Sequence, residues 1–156
     1  MVHVISSGDL RRDAASQGRV AGTVAFEEAL PRHRRSAGTA RGHLRAFLAQ
    51  VPGGAAFADD GQLVVTELVS NAVVHARVSP GREIVVRFEI ICGHLRIAVH
   101  DASCGKPVIR RSIDSSDCSG RGLCLVEMLS LEWGCEPRPG GIGKIVWALV
   151  SLGGGT

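Results

Sequence analysis

Glu67-Leu68-Val69-Ser70-Asn71-Ala72-Val73-Val74-His75-Ala76 places a carboxylate, a carboxamide and an imidazole at four-residue intervals inside an apolar helical pattern. Advancing about 100° per residue, Leu68, Ala72, Val65, Ala76 and Val69 centre the apolar face. Thr66 and Ser70 are expected to point away from it, and Glu67, Asn71 and His75 to run along its border. A polar stripe at the edge of a core either meets solvent or lines a cavity. One His on a helix border is more often structural than functional, so Glu67 and Asn71 are the sharper candidates.

The chain has 156 residues, 45% of them hydrophobic and 21% charged, which suits one domain with a substantial core. The expected organisation is a flexible N-terminal tail over 1–18, a single domain over 19–150 and a Gly-rich tail over 151–156. The first 18 residues have no apolar run of signal-peptide length, which leads to an expectation of cytoplasmic location and no membrane association. Five cysteines with no C-x-x-C pair argue against a disulfide framework or a zinc site, and most of them read as buried or unreactive thiols. A net charge of +3, 4% aromatic content and no Tyr leave few stacking platforms for nucleic acid, so a direct nucleic-acid partner is not expected.

Outward from the opening stretch, Val20 to Ala29 reads as a first strand. Pro31 is then expected to open an Arg-rich helix ending near Gln50, with Ala37, Ala40, Leu44, Phe47 and Leu48 on its apolar side. Arg32, Arg34, Arg35, Arg41 and Arg45 could dock an acidic protein, but a solvated face is the simpler reading. Glu83 to Cys92 alternates, with Ile84, Val86, Phe88 and Ile90 on one side, and Gly93-His94 is the expected turn. In the return strand, Leu95, Ile97 and Val99 share a face, and the period of two puts Asp101 on that inward side. A buried carboxylate needs donors, either from a turn or from a ligand amine.

Ser119-Gly120-Arg121-Gly122-Leu123 then puts two glycines around a helix start, a type of site that attracts phosphate. The spacing matches neither a Walker loop nor a Rossmann fingerprint. Trp133-Gly134, a turn at Pro137-Arg138-Pro139-Gly140-Gly141 and a closing strand from Lys144 to Val150 complete the pattern.

In this order the segments resemble the GHKL ATPase superfamily of gyrase, chaperone, histidine-kinase and mismatch-repair ATPases, most closely its short bacterial anti-sigma-factor serine kinases. The likeness covers about Leu30 to Val150. Glu67 to Ala76 looks like the N box, Asp101-Ala102-Ser103-Cys104-Gly105 like the first glycine box, and Gly120-Arg121-Gly122-Leu123 like the second. The resemblance implies an α+β two-layer sandwich, in which helices cover one face of a mixed, mainly antiparallel sheet.

It further implies Mg-ATP as cofactor, with Asn71 ligating Mg²⁺ and Glu67 orienting or deprotonating an attacking hydroxyl. Asp101 would accept a hydrogen bond from the adenine amino group. Ser103, Gly105, Gly120, Gly122 and Leu123 would border the nucleotide, with Lys106 and Arg121, and more weakly Arg110 and Arg111, near its phosphates. The implied activity is transfer of the γ-phosphoryl group to a Ser or Thr of an anti-sigma antagonist of the STAS type, coupled to sequestration of a sigma factor, by a homodimer.

Two residues depart from the pattern. Ser103 replaces a usual Gly of the first glycine box, and Ile145 stands where close relatives carry a Thr that helps hold adenine. Both favour a second hypothesis, a non-catalytic protein-binding regulator with weak or absent ATP. A detached sensor histidine-kinase domain is a third, disfavoured because no separate phosphoacceptor helix pair fits in this length, although His33 and His43 lie near the first helix.

Overall fold

Alternating apolar side chains build a six-stranded sheet, seen in a computed structural model that describes residues 3–5, 24–75, 83–102, 121–140 and 143–151. In chain order the strands are β1 (His3–Ile5), β2 (Val24–Pro31), β3 (Glu83–Ile91), β4 (His94–Asp101), β5 (Glu132–Pro137) and β6 (Lys144–Val150). They lie side by side as β1-β2-β3-β4-β6-β5, and only the β1–β2 pairing is parallel. Among the described residues the α-helices are α1 (Ser36–Ala49), α2 (Ala58–His75) and α3 (Arg121–Leu129), with a short 3-10 helix at Gly54–Phe57 leading into α2. This is the α+β architecture expected, a mixed, mainly antiparallel sheet with a helical layer.

Register aligns the core. Phe26, Phe88, Ile97, Ala148 and Trp133 stand opposite one another across β2, β3, β4, β6 and β5. The first four are fully buried and Trp133 packs against them at the margin. Phe88 stacks on Phe26 with ring centroids 5.4 Å apart, and Phe47 of α1 lies 6.0 Å from Phe88 at a tilt of 48°. Such offset and tilted pairs bring the positive edge of one ring towards the negative face of another.

Above this row, α1 packs on β2 and β3, α2 on β4 and β6, and α3 against α2 and β5. Ala37, Ala40, Leu44, Phe47 and Leu48 are all buried, as the 3.6-residue period requires. Asp59 and Asp60 in the first turn of α2 complement the positive end of its dipole.

The sheet's other face carries a run of charge. Arg87 Nη1 lies 3.0 Å from Glu27 and its Nε 2.7 Å from Glu89, while Arg96 reaches Glu89 at 3.3 Å and Glu136 at 3.7 Å. Arg96 also covers the Trp147 ring at 5.5 Å, a cation over a π face. Arg87, Glu89 and Arg96 form a partly buried network centred on Glu89, with Glu27 and Glu136 exposed at its ends, and these charges keep the face wettable.

Several boundaries differ from expectation. Pro31 ends β2, opposite Glu83, and does not open α1. The backbone turns first, through His33 N donating to Pro31 O and Ser36 N to His33 O, and α1 starts at Ser36. Proline fixes φ near a value that serves a strand end as well as a helix start, so its presence alone could not decide. The hairpin turn is Cys92-Gly93, one residue earlier than expected, and His94 already pairs with Ile91. Both turn residues have positive φ, 50° and 78°, the requirement of a two-residue type I′ loop. Cys92 is exposed there. His3–Ile5, placed in the expected flexible tail, instead extends the sheet beside Val24–Phe26.

Because Phe88 is fully buried and touches rings from both layers, Phe88→Ala should destabilise the fold by about 3–5 kcal/mol. Urea unfolding followed by circular dichroism measures this. A loss under about 1 kcal/mol would mean that the aromatic row does not hold the layers together.

Candidate functional site

The arginines of α1 fix which way α2 faces. Arg41 Nη1 donates to Thr66 Oγ1 at 3.0 Å and Arg45 Nη1 to Gln62 Oε1 at 3.0 Å. Thr66 Oγ1 also donates to the Gln62 carbonyl at 2.6 Å. Thr66 lies off the apolar face, as its helical position requires, and is half-buried because α1 lies alongside it. These two arginines therefore bolt α1 to α2, a use that the solvated-face and docking readings both missed.

Glu67 and Asn71 stand on α2 roughly 140° around the helix axis from the Gln62 and Thr66 edge. With α1 on that first edge, the sheet beneath Val65, Leu68 and Ala72, and α3 beyond, the Glu67 and Asn71 flank is the one on α3's side. Both residues are half-buried, as the border position required. One helical turn separates them, about 6 Å along the axis. His75 closes the helix.

Asp101 is the last residue of β4 and only 2% exposed. Leu95, Ile97 and Val99, of the same parity, belong to the core beneath the helices, so the carboxylate lies on the helix-covered face at the strand's tip. Among the described residues, Asp101 and Ser36 are the buried polar side chains. In antiparallel register Asp101 stands opposite Lys144, the first residue of β6. Val146, Ala148 and Val150 belong to the core, so Lys144 shares the face of Asp101. Counting by twos back from those residues would have found Lys144, which sequence reading left out of the site.

The same register moves Ile145 away from the site. Ile145 is opposite His100 and buried on the sheet face that the helices do not cover. A Thr there would aim its hydroxyl away from Asp101, so the expected loss of an adenine contact at Ile145 does not arise. Which face residue 145 takes depends on how β6 pairs with β4, and that pairing is a property of the fold.

Leu123 is buried in α3, and Arg121 and Gly122 begin that helix. Ser103, Gly105, Lys106, Arg110, Arg111 and Gly120 lie outside the described residues. Among the described residues no cluster of three or more His, Cys, Asp or Glu could hold a metal ion, and no helix is long and apolar enough to cross a membrane. A magnesium site here would need few protein ligands, and one carboxamide oxygen on a half-buried flank fits that demand, because Mg²⁺ keeps water and phosphate oxygens in its shell.

Residues 28–148 match the family model described as the histidine kinase-like ATPase domain, and the chain belongs to that family. Its members typically bind ATP with Mg²⁺. The fold, motif order and matched span therefore agree. Comparison with curated proteins finds no match.

Beside the site, burial and the charge of Arg138 hold the imidazole of His100 below its ordinary pKa of 6.5. An unfolded chain then binds the proton more readily than the folded one, so His100 should lower stability as pH falls below 6.5. Denaturation midpoints between pH 7.5 and 5 should drop more steeply for the wild type than for His100→Gln. Parallel curves would show that His100 keeps the same proton affinity in both states.

Proposed function

We propose that this protein is a Mg-ATP-dependent regulatory kinase: it sequesters a sigma factor and transfers the γ-phosphoryl group of ATP to a Ser or Thr of an anti-sigma antagonist of the STAS type. The observation that carries the nucleotide reading is the buried Asp101 carboxylate at the tip of β4, on the face that α2 covers, with Glu67 and Asn71 on the flank of α2 towards α3. A carboxylate at that buried strand tip is a directional acceptor, and the exocyclic amine of adenine is a donor that a ligand can bring to it. The regulatory reading, with the homodimer, is supported by the likeness of the three motifs, in their order, to the short anti-sigma-factor serine kinases.

In this mechanism Glu67 receives the proton of the substrate hydroxyl as that oxygen bonds to the γ-phosphorus. The bond from phosphorus to the bridging oxygen breaks, and ADP leaves with the electron pair. Asn71 would hold Mg²⁺, which supplies charge neutralisation to the phosphates when bound. Because phosphoryl transfer depends mainly on positioning and charge, these residues can serve without a covalent intermediate. The rival reading, a binding module without transfer, loses the support of Ile145, whose side chain is on the opposite sheet face; Ser103 remains its support.

Incubation with labelled ATP and a serine-bearing antagonist protein tests the proposal. Wild type should label the antagonist, Glu67→Ala should bind ATP but not transfer, and Asn71→Ala should lose the magnesium dependence of binding. Asp101→Asn should weaken ATP about 10- to 100-fold, the worth of a hydrogen bond to a charged group. Tight ATP binding without transfer by the wild type would select the binding-module reading, and unchanged affinity in Asp101→Asn would remove that residue from the site. Saturating Mg-ATP, at 100 times its Kd, should stabilise the wild type by about 2.7 kcal/mol in thermal unfolding.

Ile145→Thr provides a separate check on the register. ATP affinity measured by calorimetry should change less than about twofold, because the new hydroxyl faces away from Asp101. A gain of about fivefold, the worth of one neutral hydrogen bond, would place that hydroxyl in the site.

A further inference from the structure

We infer that Gly143 is a positioning residue for Asp101: its lack of a side chain lets the start of β6 lie against the main chain at the tip of β4, and this contact sets where the carboxylate stands. The inference rests on the nucleotide reading above and assigns the site a residue that neither the helix stripe nor the glycine motifs contain.

Gly143 immediately precedes β6 and has φ +96°, a backbone conformation that residues with a Cβ rarely adopt. A Cβ there would overlap the carbonyl oxygen of Asp101 and come within 2.9 Å of the Ala102 Cα. Both are backbone atoms, so relief requires the strand tip itself to move. The Arg138 Cδ also stands 2.9 Å from the same point, and Arg138 N donates to Gly143 O at 3.1 Å. Gly143 is thus tied through its carbonyl to Arg138, just past β5, while its Cα lies against the β4 tip.

Moving the Asp101 carbonyl rotates the peptide and swings the Cα–Cβ bond that aims the carboxylate. A misplacement of about 1 Å of reacting groups can cost about 10²-fold in rate, and a recognition hydrogen bond likewise weakens steeply once its distance and angle are lost. Gly140 supplies an internal control. It lies in the same hairpin with nearly the same φ, +97°, but a Cβ there meets nothing within 4 Å. Alanine at 140 therefore brings the backbone strain without the collision, whereas alanine at 143 brings both.

The experiment compares wild type, Gly143→Ala and Gly140→Ala for affinity towards ATP and towards purine riboside triphosphate, which lacks the 6-amino group. Wild type should prefer ATP at least tenfold. Gly143→Ala should bring that preference to within threefold of unity, and Gly140→Ala should keep it. A general loss of folding would weaken both nucleotides alike, so the ratio separates positioning from stability.

Backbone amide shifts without nucleotide give a second readout. Gly143→Ala should displace the Asp101 and Ala102 resonances, and Gly140→Ala should leave them in place. The inference is overturned if Gly143→Ala keeps the wild-type ratio, if Gly140→Ala loses it equally, or if the Asp101 and Ala102 amides do not move. A wild type that binds both nucleotides alike would overturn the base-recognition reading, and Gly143's part in it, even where the amide displacement upholds the contact itself.

Discussion

The constraint on which the molecule depends is an apolar sheet face that must be covered to its end. Phe26, Phe88, Ile97 and Ala148 form its central row, and α1 and α2 exclude water from it. Asp101 continues the same parity past Val99, so a charged group occupies the place where the next apolar side chain would stand. The pleat that builds the core is therefore also what buries the carboxylate. Function and stability meet at one strand end.

Two arginine bonds add a second condition. Arg41 to Thr66 and Arg45 to Gln62 set the rotation of α2 about its axis, with Val65, Leu68 and Ala72 against the sheet. Rotating α2 by one residue would take Asn71 off its flank and bury a polar amide or expose an apolar side chain. The half-buried state of Glu67 and Asn71 follows from packing on the other side of the same helix.

Periodicity made much of this legible. The buried side of α1, the inward side of β3 and β4, the border position of Glu67 and Asn71, and the limits of β6 all follow from counting by 3.6 or by two. What escaped were features decided by neighbours far along the chain. Three residues pairing at an edge carry no period, so His3–Ile5 went unread. Cys92 takes a positive φ that is usually left to Gly or Asn, so the hairpin was placed one residue late. Ile145 and Lys144 exchange importance once β6 is set against β4. The close approach at Gly143 exists only between two strands and has no signature in one segment.

The placement of the two tryptophans makes the sheet its own reporter. The chain has two Trp and no Tyr, so near-ultraviolet emission comes from Trp133 and Trp147. Trp133 packs at the margin of the helix-covered core, whereas Trp147 is on the reverse face beneath the Arg96 guanidinium. Their indoles sample different polarities within one hairpin. Loosening of the helical layer would red-shift the first fluorophore, and raised salt would act on the cation above the second, so intrinsic fluorescence can follow the two faces separately without an added dye.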